Sequence, residues 1–372
     1  MRQLGLKSLI LGFIFWYGFS ILNYNNNNII NIDKTIYLIS IFLIFFLFSY
    51  LFFYRTNQIQ NSYAEIFISP MVLVYLIIIV GVLYFMIFKF YTMHIYTAFS
   101  AILVFSYLCY YHSQGLYKFI YLTITIIIFL ILLDEYSRRY LLEAFLAIAY
   151  LFLLKKKKLL FLDFCKILFI TSITILFYFY LTGLRLNELQ LNDIFYNILL
   201  GWRGTYNAMG FDTIYLTDYV LNFYTSSNFL NGESFIAGFI NFIPRALWDS
   251  KPIAFSIILS SEYYNLNIDN LFTNFGPGII AEAYANGGYI FTIFIAIIMG
   301  VAVAKFDNFT ERRSGQWTVS LIALIIYPTL IFMVRGDFVN SFYDMYARIL
   351  VLFVLNIFTA KYIEQPKIYE QK

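Results

Sequence analysis

Uninterrupted apolar runs of about twenty residues recur along most of this chain and constrain its fold more than any other feature; residues 35–54, 116–133 and 276–304 are examples. An α-helix rises about 1.5 Å per residue, so a run of about twenty matches the hydrocarbon thickness of a bilayer. A membrane β-barrel would instead alternate polar and apolar residues over strands of about ten. Composition agrees. Of the 372 residues, 61% are hydrophobic and 12% charged, and the mean hydropathy is +0.74. No soluble core needs that much apolar surface, so the expected fold class is an all-α polytopic membrane protein.

About ten spans are expected, within a range of roughly 10–12. They cover about 4–22, 35–54, 66–88, 90–111, 116–133, 139–154, 159–183, 276–304, 316–334 and 343–361. The sixth is short and carries Glu143. The first lacks a small-x-small cleavage site and is read as a helix rather than a signal peptide. Lys and Arg in short loops set orientation. Arg2, Lys7, the lysines 155–158, Arg312, Arg313 and the lysines 361, 367 and 372 share one side, which predicts that both termini are cytoplasmic. Arg138 and Arg139 fall on the other side and count against this map.

Three regions follow: an N-terminal bundle of about seven spans (1–183), a large outer-face loop with short interfacial helices (184–275), and a C-terminal bundle of about three spans with a tail (276–372). The loop holds four basic residues and eight acidic ones and is rich in Phe, Tyr and Trp, a composition suited to the membrane interface. Segments 212–223 and 234–247 are too short to span and are expected to be surface or re-entrant helices. The run NYNNNNIINID at 23–33 is expected to be a solvated outer loop. No internal repeat of the transporter type is visible. The two cysteines (Cys109, Cys165) and two histidines (His94, His112) make neither a disulfide framework nor a His/Cys metal site. No metal or cofactor is expected. The net charge of +4 gives no argument for nucleic acid.

Polar groups concentrate at the expected outer face. Arg203 in GWRGTY, Arg245 in FIPRALW, Arg335 in VRGDF and Arg348 in the last span sit among aromatic residues. Guanidinium groups grip phosphate oxygens bidentately and keep their charge, so several together suit a lipid diphosphate. The plainer alternative pairs each with a local carboxylate: Arg245 with Asp249, Arg335 with Asp337, Arg348 with Asp344. A second cluster is NFGPGIIAEAYANGGYIF, 274–291. Gly278, Ala281, Ala285 and Gly288 form a small-residue ridge for close helix packing. Glu282, Asn286 and Tyr289 lie on the neighbouring face. A carboxylate two turns into a span is either a protonated or hydrogen-bonded structural group, or a general base or acceptor-positioning group.

The order of these pieces resembles the oligosaccharide repeat-unit polymerases, the O-antigen polymerases of the Wzy type. That family carries P-R-x-x-W-x-x-K-P in a late outer loop, matched here by Pro244, Arg245, Trp248, Lys251 and Pro252. Its G-x-x-x-E-x-Y-x-N-x-G entry to the next helix is matched by Gly278, Glu282, Tyr284, Asn286 and Gly288. The likeness covers about 200–340; the earlier spans match only in hydropathy. It implies a GT-C-like, metal-independent, inverting glycosyltransferase in the bacterial inner membrane. Such enzymes join undecaprenyl-diphosphate-linked oligosaccharides into O-antigen or capsular polysaccharide on the outer face, beside a flippase and a chain-length regulator.

In that resemblance Arg245, Arg335, Arg203, Lys251 and Arg348 hold diphosphate. Trp248, Tyr284 and Asn286 position the acceptor sugar. The catalytic candidates are Glu282, then Asp249 and Asp337. The related O-antigen ligases carry a histidine before the matching helix, where this chain reads LFTNFGPG, so the identity of the base stays open. An O-antigen ligase, which transfers finished chains to lipid A core in lipopolysaccharide, is the same-class alternative. A lipid-linked oligosaccharide flippase or polysaccharide transporter is the alternative from another class; it would need charges along a central path, whereas here they gather beside one loop.

Overall fold

The computed structural model describes residues 3–18, 20, 32–55, 93–113, 115–134, 138–154, 176, 177, 179, 180, 182, 183, 194–207, 213–241, 243, 247–271, 275–313 and 317–360. All of span 66–88 and most of span 159–183 lie outside them. Every regular element among the described residues is helical. They are α1 (Leu4–Phe13, continued by a π-turn, Ile14–Gly18), α2 (Ile32–Phe53), α3 (Met93–His112), α4 (Gly115–Asp134), α5 (Arg138–Leu154) and α6 (Ile194–Asn207). After these come α7 (Thr213–Phe223), α8 (Glu233–Ile240), α9 (Phe255–Tyr264), α10 (Gly278–Arg312), α11 (Trp317–Met333) and α12 (Phe338–Ala360). Three helices, α2, α4 and α10, are long and apolar enough to cross a membrane; α1, α3 and α11 contain shorter apolar stretches. Among the described residues the protein is thus all-α, with three helices of the length and apolar character of membrane spans.

The centre of the molecule is the pair α2 and α10, which run parallel. Tyr37 meets Tyr289 near the start, and Tyr50 and Tyr54 reach Asp307 and Glu311 near the end. Gly300 makes the close approach possible, because a Cβ there would overlap the Ser49 hydroxyl and the Phe46 carbonyl. The rings of Phe42, Phe46 and Tyr50 on α2 and of Tyr54 just beyond it stack at i, i+4 spacing with centroids 5.3–6.5 Å apart. α1 runs antiparallel beside them and packs on α11. α3 packs against α4, α5 and α12.

The helix α10 continues past the apolar limit expected at residue 304. Its last turns carry Asp307 and Glu311, which would be costly near hydrocarbon without partners. Asp307 accepts from the backbone N–H groups of Gly5 (2.8 Å) and Leu6 (3.3 Å) and from the hydroxyls of Tyr50 (2.8 Å) and Tyr327 (3.0 Å). Glu311 accepts from Gln3 N–H (2.8 Å) and from Tyr54. Two carboxylates one turn apart therefore satisfy three of the N–H groups at the N-terminus of α1. Asn308 does the corresponding work for α2: it donates to Phe53 O and accepts from Arg55 N–H, both at 2.9 Å.

A charged pair also crosses the bundle. Glu143 on α5 forms an ion pair with Arg348 on α12, and both are buried. Arg348 also donates to Thr329 (3.4 Å) and lies 5.5 Å from the ring centre of Tyr140. This answers how the fifth helix tolerates Glu143: its partner comes from a helix two hundred residues on. The i,i+4 neighbour Asp344 takes a hydrogen bond from Thr97 (3.1 Å).

Candidate functional site

The two ends of the molecule differ. At the end opposite Asp307 the short helices α7, α8 and α9 gather around the start of α10 and the turn between α11 and α12. The loop Phe275–Gly278 is pressed against that turn. Gly278 has φ +83° and opens α10; a Cβ there would meet Val334 O at 2.6 Å and the Tyr17 hydroxyl at 3.1 Å. Its neighbour Gly276 packs on Arg335, with the Arg335 carbonyl oxygen 3.1 Å and Nε 3.6 Å from where a Cβ would stand. On its other side the Arg335 guanidinium lies 4.9 Å from the ring centre of Trp16, a cation–π arrangement.

Glu282 lies one turn further on and is fully buried. Its Oε1 accepts from Ser234 Oγ on α8 (2.7 Å) and its Oε2 from Phe338 N–H at the start of α12 (2.6 Å). Asn286 completes the cluster, donating through Nδ2 to Ser234 Oγ (2.8 Å) and to the Glu282 carbonyl (2.7 Å). The buried Asn286 Oδ1 has no hydrogen-bond partner among the described residues. Asp337 performs a parallel task. Its Oδ1 accepts from Asn340 N–H (2.9 Å), capping α12, and its Oδ2 accepts from Ser256 N–H (3.1 Å) in the first turn of α9. Two buried carboxylates in this way tie α8, α9, α10 and α12 into one junction.

Just past this junction α10 breaks. Gly287 and Gly288 leave helical geometry, and Gly288 has φ +67° and ψ −154°, a region open essentially to glycine alone. A Cβ at Gly288 would stand 3.0 Å from the ring of Phe229. The break frees the carbonyl of Ala285, which accepts instead from Leu230 N–H at 2.9 Å. Tyr284 fits into an aromatic corner here, edge-on to Phe229 and to Tyr289 with centroids 6.0 and 5.2 Å apart. The small side chains of Ala281 and Ala285 pack with Leu216 and Val220 of α7. Interrupted helices are tolerated at membrane depth where the backbone is buried in protein or lines a cavity, and they are where transported or reacting groups meet backbone dipoles in other membrane proteins.

The remaining candidates are placed as follows. Lys251 is buried, and its ammonium donates to Asn241 O (3.1 Å), Asn241 Oδ1 (3.2 Å) and Ile243 O (2.9 Å), so it ties residues 241 and 243 to 251. Trp248 is exposed on that loop and donates through Nε1 to Ser250 Oγ (2.9 Å), and Asp249 beside it is exposed. Arg245 lies outside the described residues. So does the side chain of Arg203, although its backbone belongs to α6. Arg348 is placed in the bundle with Glu143, not at the junction.

Ser234, Ser256 and Phe338 N–H were not among the sequence candidates. The spacing of Asp337 and Asn340 carries a helix-cap signal, whereas the link from Ser234 to Glu282 has no local signature. Among the described residues no three His, Cys, Asp or Glu side chains converge as a metal site. Comparison of the chain with protein-family models, curated proteins and solved structures finds no match.

Proposed function

We infer that the chain is a polysaccharide polymerase of about ten spans, related to the GT-C glycosyltransferases, in the bacterial inner membrane with both termini in the cytoplasm. It transfers a growing oligosaccharide from its undecaprenyl diphosphate carrier to a sugar hydroxyl of the next lipid-linked unit, building O-antigen or capsular polysaccharide. The observation that supports this reading is the junction. The stretch 275–288 and the turn 335–338, sixty residues apart in sequence, pack on one another beside a break in α10. Together they carry Glu282, Arg335 and Asp337.

In this reading the acceptor hydroxyl attacks the anomeric carbon of the growing chain. The bond from that carbon to the diphosphate oxygen breaks, and the lipid diphosphate leaves as an anion. Stabilising that anion is the largest demand on the site, and Arg335, with Arg245 and Arg203, meets it without a metal. Glu282 is fully buried and accepts at both oxygens, so the geometry favours it as the tie that positions α8, α10 and α12. Asp249, exposed beside Trp248, is then the carboxylate assigned to take the acceptor's proton. Tyr284, at the break, holds the incoming sugar, and Asn286, buried with Ser234 and Glu282, supports the helix that carries it. Lys251 shapes the loop that carries Arg245 and Trp248.

A strain lacking the protein is expected to accumulate single repeat units on the lipid carrier at the outer leaflet. Accumulation at the inner leaflet would point to a flippase instead. Arg335→Ala is expected to abolish chain extension while the protein persists at its normal level, and Arg335→Lys to impair it, since Lys offers no bidentate fork. Normal chain length in Arg335→Ala would remove the diphosphate role.

A further inference from the structure

The end of the molecule opposite the junction holds a second site. The C-terminal ends of α2 and α10 lie side by side and enclose an open cleft of about 380 Å³. Four cationic side chains line it: Arg55 from just beyond α2, Lys305 and Arg312 from the last turns of α10, and Arg313 from just beyond it. Phe53 and Phe309 form its apolar walls, and the Arg313 guanidinium lies 5.0 Å from the ring centre of Phe309. None of the described residues that line it is acidic. The two carboxylates nearest in sequence, Asp307 and Glu311, are buried and accept hydrogen bonds from the α1 N-terminus and from tyrosines. Basic residues at one helix C-terminus are an ordinary complement to the helix dipole. Here the cations come from two chain segments and converge on one concave opening, which the dipole alone does not require.

We propose that this cleft binds the phosphate of an anionic phospholipid. A phosphate diester needs converging cationic donors, and three guanidinium groups supply bidentate ones. The lipid source follows from position. α2 and α10 are two of the three helices long and apolar enough to cross a membrane, so their shared end stands at headgroup depth. Exposed apolar side chains lead up to it along both helices, Phe48 and Phe52 on α2 and Phe294 and Ile298 on α10, a surface fit for acyl chains. Basic pockets between membrane helices are a recognised setting for acidic headgroups. The proposal does not depend on the polymerase reading, since it concerns the other end of the molecule and none of the junction residues.

The test uses the full-length purified protein in neutral detergent, with thermal unfolding followed during titration by short-chain phosphatidylglycerol, phosphatidylcholine or inorganic phosphate. Phosphatidylglycerol is expected to raise the unfolding temperature saturably, and phosphatidylcholine and millimolar phosphate to leave it nearly unchanged. Each basic side chain near the surface contributes several-fold to affinity for acidic lipid. The variant with Arg55, Lys305, Arg312 and Arg313 all changed to Gln is therefore expected to need at least about tenfold more phosphatidylglycerol for the same shift. If that variant yields no folded protein, Arg312→Gln and Arg313→Gln, both at exposed positions, carry the same test, each with a several-fold loss. Equal responses of wild type and variants, or equal effects of phosphatidylcholine and phosphatidylglycerol, would overturn the site. A saturable shift by inorganic phosphate equal to that of the lipid would overturn the assignment to lipid.

Discussion

Replacing Glu282 tests whether the junction is held as described. In Glu282→Ala the Phe338 N–H loses its acceptor inside a fully buried site, Ser234 Oγ loses its carboxylate, and a cavity replaces the side chain. An orphaned buried donor costs about 1–3 kcal/mol and a cavity of this kind about the same again, so a total of about 2–6 kcal/mol is expected. Glu282→Gln behaves differently. Its amide oxygen can take the Phe338 N–H and its amide nitrogen can donate to Ser234 Oγ, which has room for a second donor beside Asn286. The Ser234 O–H then loses its acceptor, so a loss of about 1–2 kcal/mol is expected, smaller than that of the Ala variant. Equilibrium unfolding in mixed micelles measures both, and polymer length in complemented cells reports activity. If Glu282 positions the helices and does not take the proton, the Gln variant keeps chain extension and the Ala variant loses it. A folded Gln variant without activity would make Glu282 the base, and an Ala variant within about 0.5 kcal/mol of wild type would refute the tie itself.

Three further outcomes follow from other contacts. Arg348→Ala leaves Glu143 buried without its cation and should cost about 3–5 kcal/mol in the same unfolding assay, whereas Arg348→Met with Glu143→Leu should recover most of that loss. Gly288→Ala must adopt φ +67° with a methyl against Phe229 and should cost at least about 1–3 kcal/mol; a neutral result would mean that α10 does not break there. Glu262, on α9, has its carboxyl raised above the usual carboxylate range by burial, partly offset by the hydrogen bond from Tyr224 at 2.6 Å. The folded form therefore binds the proton more tightly than the unfolded chain. The stabilisation it gives is complete below the ordinary carboxylate range and is lost as pH rises through the folded value. Glu262→Gln should flatten the pH dependence of unfolding in that window.

The helical class and the positions of several apolar helices were legible because hydropathy needs no knowledge of partners. The helices found at 93–112 and 115–134 sit within a few residues of runs read at 90–111 and 116–133. What was not legible depended on distant contacts. The span read as ending at 304 runs on to Arg312 because Asp307 and Glu311 find donors on α1 and α2. The last helix begins at Phe338, five residues before the apolar run read from 343, because Asp337 caps it. Gly287 and Gly288 stood in a run whose glycines and alanines suit close packing, and only the fold shows the backbone turning there. Of the site, Glu282 and Asn286 were visible as polar residues on one face. Ser234 was not, since nothing near it in sequence marks it as their partner.

The most direct measurement of the central claim is reconstitution. Purified protein in proteoliposomes, given undecaprenyl-diphosphate-linked repeat units from the source strain, is expected to yield a ladder of lengthening oligosaccharides and free undecaprenyl diphosphate without added metal or nucleotide, and Arg335→Ala is expected to yield neither. Substrate that stays a single unit but moves between leaflets would contradict the claim and assign the protein to lipid transport.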